Sequence, residues 1–228
     1  MVWGSFTPAH ILSLALGGLG LWGLYLALRR ASQKVQIAVL GALSFAGIAA
    51  IVFNLLAWGA PLDYLPLHLC SLNAMVLPVA VLSRNKTLCN LLLVWSLGAL
   101  AALVANWAVA EAQVCSWVFV FYYFPHVLEF GIPILLFRLG LVKKDERCIG
   151  STLGISALAY TLVHFANLAL IRRGIWANYM YSIAPENPLL AAFYRVIPYS
   201  YWYMYLVVPI LAVYLLILYA PQLRKGKG

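Results

Sequence analysis

A succession of apolar stretches, each about as long as a bilayer is thick, limits what this chain can fold into more than any other feature. A helix needs roughly 20 apolar residues to cross the hydrocarbon core. Seven stretches approach that length: Ile11 to Leu28, Val35 to Trp58, Pro66 to Ser83, Leu88 to Val109, Cys115 to Phe137, Ile149 to Ile171 and Pro198 to Tyr219. Polar breaks such as Gly59-Ala60-Pro61-Leu62-Asp63 separate them. The expected fold class is therefore all-α, a polytopic membrane helix bundle of about seven transmembrane helices. It is read as one integral membrane domain over residues 1–228. Composition bears on one alternative. The chain is 65% hydrophobic and 9% charged, whereas a soluble domain is about 45–50% apolar and about 25% charged. It has too little polar surface to face water on all sides.

The net charge of +9 would point to nucleic acid in a soluble protein. Here the basic residues fall at helix ends, so membrane phospholipids, as substrate or solvent, are the expected partners and nucleic acid is not. With the N-terminus outside and the C-terminus inside, the inner loops hold Arg29, Arg30 and Lys34, then Arg84 and Lys86, then Arg138, Lys143, Lys144 and Arg147, then Arg224, Lys225 and Lys227. Those are 12 of the 15 basic residues. Only Arg172, Arg173 and Arg195 stay outside, and such an asymmetry sets orientation. The sequon Asn85-Lys86-Thr87 then faces inward, where it is inert. No basic region precedes the first apolar run, so no cleaved signal peptide is expected. The expected location is the plasma membrane of a prokaryote.

In this topology all four histidines fall in the outer half of the membrane or at its midplane. Intramembrane polar groups are expensive and mark sites or pathways, so His10, His68, His126 and His164 are read as walls of one cavity open to the outer leaflet. Cys70 stands two residues from His68, hence on nearly the opposite side if both are helical. It shares a face with Asn73. A base for its thiol has to come from another helix, and the fifth span offers His126 with Glu129 three residues on, where a carboxylate can hold the imidazole. Pro125 and Pro133 flank the pair and free the carbonyls of Phe121 and Glu129. In the sixth span, Tyr160, His164 and Asn167 share one face, as an interhelical seam or as cavity lining. The aromatic residues between Ala177 and Tyr205 read as an interfacial belt or a lid. The four cysteines show no CxxC spacing, and unpaired thiols are the default, with a Cys70–Cys115 disulfide as the alternative. No nucleotide-binding motif is present and no dissociable organic cofactor is expected.

The string Leu65-Pro66-Leu67-His68-Leu69-Cys70 resembles the signature of the YwaF-like integral membrane proteins, the transmembrane protein 164 family. His10 in a Phe-Thr-Pro-Ala-His setting fits, as does His126 after Phe121-Tyr122-Tyr123-Phe124-Pro125. So does Asn178-Tyr179-Met180-Tyr181 followed by Pro185 and Pro198-Tyr199. The resemblance covers nearly the whole chain. It departs at Val127, where the family often has glycine, and at Ala105-Asn106-Trp107, which lacks the usual Thr-Pro. It implies a lipid acyltransferase with Cys70 as nucleophile and His126 as partner.

Three functions follow as expectations. The first is acyl transfer, transferase or hydrolase, on membrane lipid: Cys70 attacks, His126 takes the proton, Glu129 orients it, and Asn73 or His68 donates to the oxyanion. His10, His68, Asn73, His164, Asn167, Asn178 and Tyr179 would contact substrate. The second is a small-molecule transporter or ligand-binding membrane protein with an intramembrane His/Glu site. The third, a metal hydrolase on the four histidines, matches no HExxH-type spacing, and no metal is expected.

Overall fold

The computed structural model describes residues 1–57, 62 and 65–225. Trp58, most of the Gly59–Asp63 break and the end of the basic tail lie outside the described residues, as do the side chains of Arg224 and Lys225. The described residues form nine α-helices and no strand, with one isolated bridge between Val2 and Gln113. In order these are α1 (Pro8–Leu28), α2 (Gln33–Ser44), α3 (Ala46–Ala57), α4 (Leu69–Ser83), α5 (Lys86–Val104), α6 (Trp117–Arg138), α7 (Cys148–Ile171), α8 (Pro188–Val196) and α9 (Val207–Lys225). Six segments are long and apolar enough to cross a membrane, with α2 and α3 acting together as one of them. The shorter apolar helix α4 is additional to those six.

Local chemistry explains where the helices begin. Thr7, Asn85, Ser116 and Asn187 are the N-caps of α1, α5, α6 and α8, and each side chain accepts a backbone N–H three residues on. Such caps satisfy donors that the helix itself cannot. Pro8 and Pro188 occupy the first helical position, where no N–H is needed. The Asn85 sequon thus doubles as a helix cap.

One expected start differs. Pro66 suits a first turn, yet α4 begins at Leu69. Residues 65–68 are held otherwise: Leu67 N–H donates to Leu65 O at 2.7 Å, Leu65 N–H donates to the Tyr179 hydroxyl at 3.2 Å, and His68 accepts from the Met180 N–H at 3.4 Å. His68 therefore precedes the helix, and the argument that placed it opposite Cys70 on one helix does not apply. With 15 residues, α4 is about 22 Å long at 1.5 Å per residue, short of the roughly 30 Å core.

The chain clusters into two compact units, Met1–Gly59 with Leu69–Lys144 and Ala60–His68 with Asp145–Gly228. In the first, α4 packs against α2, α3, α5 and α6, and α6 also packs on α1, α3 and α5. Close approach of α1 and α6 depends on Gly131, where a Cβ would lie 2.1 Å from Leu21 Cδ2. Small residues at such crossings let helix backbones meet. In the second unit, α7 contacts the 3-10 turn Tyr179–Tyr181, and α8 and α9 contact the turn Trp202–Leu206. Burial differs along the chain: 56% of the apolar window is buried in α5 and in α6, against 11% in α7. Surface of the second kind is what lipid tails cover.

Candidate functional site

The first unit brings Cys70, Asn73, His126 and Glu129 together. Cys70 is the second residue of α4 and half-buried, in a first turn whose backbone N–H groups lack helical partners. Its sulfur sits against the Ser71 hydroxyl and the backbone N–H groups of Cys70 and Ser71. On α6, Glu129 lies within electrostatic range of both His126 and Cys70. Glu129 is 3% exposed and Asn73 0%.

The His126 ring is oriented by main chain. Its Nδ1 lies 2.6 Å from the Tyr122 carbonyl oxygen, which can only accept, so Nδ1 carries the proton. The lone pair is then on Nε2, and no hydrogen bond to that atom is found among the described residues. The Tyr122 ring lies 4.3 Å from the imidazole, centroid to centroid. This is the tautomer a general base needs. The Tyr122 carbonyl, and not Glu129, is the hydrogen-bond partner of the His126 Nδ1. No pattern of side chains signalled Tyr122, because the contact is to its backbone.

Asn73 also differs from its expected role. Its Nδ2 donates to the Glu129 carbonyl oxygen at 3.3 Å. Pro133, inside α6, has no N–H to offer that carbonyl. One N–H of the Asn73 amide thus completes a helix that proline interrupts. Asn73 Oδ1 and Glu129 Oε2 are buried with no hydrogen-bond partner among the described residues. Gly47 of α3 makes room for this carboxyl group: a Cβ there would lie 2.6 Å from Glu129 Oε1 and 2.5 Å from Ala74 Cβ.

His10 belongs to the same unit but is fully enclosed. Its Nδ1 accepts from the Phe6 N–H at 2.9 Å, and its Nε2 donates to Leu103 O at 2.7 Å. With both nitrogens occupied it clasps the N-terminal segment to the end of α5. Asn106 adds to the clasp, donating to Gly4 O at 2.9 Å and accepting from the Ser5 hydroxyl at 2.7 Å.

The other two histidines are in the second unit. His164 Nδ1 lies 3.0 Å from Ser182 Oγ. Asn167 donates from Nδ2 to Tyr179 O at 2.8 Å and to Ser182 Oγ at 2.9 Å, and accepts the Tyr179 N–H at 3.0 Å. Tyr160 donates to Tyr201 O at 2.8 Å. The shared face of Tyr160, His164 and Asn167 therefore ties α7 to the connection that follows it. Met180 and Tyr181 there have φ of 52° and 54°, a left-handed conformation that non-glycine residues rarely adopt. The hydrogen bonds from Asn167 and His164 hold it. Asn178, Tyr179 and His68 border a cleft in this unit. The four histidines thus divide two and two between the units.

All four cysteines are free thiols: Cys115 is exposed, and Cys89 and Cys148 are buried. Among the described residues, no group of three or more His, Cys, Asp and Glu is placed to hold a metal ion. The model of the TMEM164 family matches residues 5–219. No curated protein and no solved structure matches the chain.

Proposed function

We propose that this chain, which belongs to the TMEM164 family and is an integral membrane protein, transfers acyl groups between membrane lipids, or from lipid to water, through a thioester on Cys70. The observation that carries this reading is the grouping of a thiol at a helix N-terminus with an imidazole whose Nε2 lone pair is unoccupied and a carboxylate within electrostatic range of both. The orientation is taken from the charge asymmetry, with the N-terminus outside, in the plasma membrane of a prokaryote.

His126 Nε2 takes the Cys70 proton, and the thiolate attacks an ester carbonyl of a lipid. The negative charge on the tetrahedral oxygen is met by N–H groups of the first turn of α4. The carbon–oxygen ester bond breaks, and the lysolipid oxygen leaves with the proton from His126. A second lipid hydroxyl, or water, attacks the thioester and passes its proton to His126, which returns it to the Cys70 sulfur. The Glu129 carboxyl group lies within electrostatic range of the imidazolium formed in both halves.

Labelling with a lipid-like electrophile tests this. In a Cys115→Ser background, Cys70 should react much faster than Cys89 and Cys148, and His126→Ala should remove the difference. Cys70→Ala should lower lipid acyl transfer by about 1,000-fold or more, as loss of a nucleophile does elsewhere. Full transfer in Cys70→Ala would sink the mechanism.

A second reading rests on the partnerless Asn73 Oδ1 and Glu129 Oε2, which would serve an intramembrane site for a proton or small solute. Solute-driven proton uptake into vesicles that is lost in Glu129→Gln but intact in Cys70→Ala would favour it over acyl transfer.

A further inference from the structure

The acyl-transfer reading makes no use of a small cleft in the second unit. The cleft has a volume of about 210 Å3 and is lined by His68, Trp176, Ala177, Asn178, Tyr179 and Glu186. Pockets for drug-sized ligands run to roughly 300–1,000 Å3, so this one suits a group no larger than a lipid headgroup.

Among the described residues Glu186 supplies the one carboxylate of the lining, and it is fixed in place. Asn178 Nδ2 donates to Glu186 Oε1 at 2.6 Å. Asn178 is itself locked, with its Nδ2 donating to Ala184 O at 2.8 Å and its Oδ1 accepting from Ile183 N–H at 3.0 Å and Ala184 N–H at 3.2 Å. The chain has 15 basic residues, yet no basic side chain among the described residues forms an ion pair with Glu186. A carboxylate held rigidly and without a counterion among the described residues is available to an external one.

Aromatic rings make up most of the remaining wall. Trp176 is 65% exposed. The His68 and Tyr179 rings meet edge to face with centroids 5.3 Å apart. An anion would be repelled by Glu186. A hard metal ion wants several oxygen ligands, and this lining offers one carboxylate among rings. An organic ammonium fits both features, because its charge is drawn to a carboxylate and its polarised C–H or N–H groups to aromatic faces.

We propose that this cleft binds a small organic ammonium group, of the kind carried by phosphocholine and amine headgroups of lipids and by free amines, with Glu186 as counterion and Trp176 as the ring that packs on it.

The test is equilibrium binding of radiolabelled choline and of short-chain lysophosphatidylcholine to the purified full chain in a neutral detergent. Saturable binding of at least one is expected, weakened roughly tenfold or more in Glu186→Gln and in Trp176→Leu. Glu186→Gln keeps a side-chain oxygen for Asn178, so its thermal unfolding should match the parent. Trp176→Leu, at an exposed position, is an independent second variant. Lysophosphatidylglycerol of the same chain length should not compete. Binding of the lipid alone identifies a headgroup as the source, equal binding of choline identifies a free amine, and both fit the cleft. Absence of saturable binding, full affinity in Glu186→Gln, or equal competition by lysophosphatidylglycerol overturns the proposal. The measurement needs no acyl transfer, so its outcome is separate from that of the Cys70 reading.

Discussion

Two regions of this chain carry polar side chains on apolar helices, and they complete them differently. On α7, His164 and Asn167 bond to Ser182 and to the backbone of Tyr179, and each Asn167 polar atom has a partner. Thr152 is the exception there, with a buried hydroxyl that has none. Where α4 meets α6, by contrast, Asn73 Oδ1 and Glu129 Oε2 have no hydrogen-bond partner among the described residues. A buried polar atom without a partner costs about 1–3 kcal/mol. Two of them, on two touching helices, are hard to explain by packing. Completed hydrogen bonds account for the polar residues of α7 that tie it to the following connection, and the open atoms of Asn73 and Glu129 are not accounted for in that way. Polarity alone does not separate the two.

The largest expected effect contrasts two histidines. His126→Ala should slow Cys70 acylation by about 100- to 10,000-fold, the usual contribution of a general base, with little change in thermal unfolding. His164→Ala should do the reverse, leaving the rate within about threefold and lowering stability by about 1–2 kcal/mol for the hydrogen bond to Ser182. Acylation rates and denaturation of the two variants side by side decide it. Equal rate losses in both would erase the distinction.

Next in size is Asn167→Ala, which removes three hydrogen bonds at once. At about 1 kcal/mol each, with a further cost for the buried groups left behind, the loss should reach about 3 kcal/mol. The left-handed Met180 and Tyr181 should then relax, which would appear as faster proteolysis or amide exchange in residues 178–182. Cys70 reactivity should not change.

Much of this arrangement is legible in the sequence because hydrophobic length is a local signal. The apolar stretches announce their helices, and the His126–Glu129 spacing announces a shared face. The start of α4 is hidden, because Pro66 is locally suited to a first turn and only tertiary bonds, from Tyr179 and Met180 more than 100 residues away, hold the segment open. His10 looks the same in sequence whether it lines a cavity or clasps a terminus. Its partner Leu103 is 93 residues on, and a backbone carbonyl carries no residue type to read. Asn73 stands between these cases. The carbonyl it bonds is the one Pro133 frees, so the need for a donor was visible on α6, but which helix would supply it was not.

Gly47→Ala bears on the open side of the contrast. The added methyl would meet Glu129 Oε1 and Ala74 Cβ at under 3 Å, so the carboxyl group or the helix must shift. Overpacking of this kind costs about 1–3 kcal/mol. Because either shift disturbs the contact of α3 with Glu129 or with α4, which carries Cys70, the rate of Cys70 acylation should fall along with stability, in contrast to Asn167→Ala, where stability falls alone.

The smallest effect guards against a simpler explanation, that any change in the first unit disturbs Cys70. Asn85 lies in that unit, but its side-chain oxygen is engaged as the N-cap of α5 by the Leu88 N–H at 3.1 Å. If completion of hydrogen bonds is what matters, Asn85 should behave like the residues of α7 despite its location. Asn85→Ala should cost about 1 kcal/mol, the usual value of a lost cap, and leave acylation at the parent rate. Asn85→Ser, which can cap as well, should recover the stability. A fall in Cys70 reactivity with Asn85→Ala that Asn85→Ser reverses would mean that the site depends on the global stability of its unit, and the rate losses expected for His126 and Gly47 would then have to be corrected for stability before they say anything about chemistry.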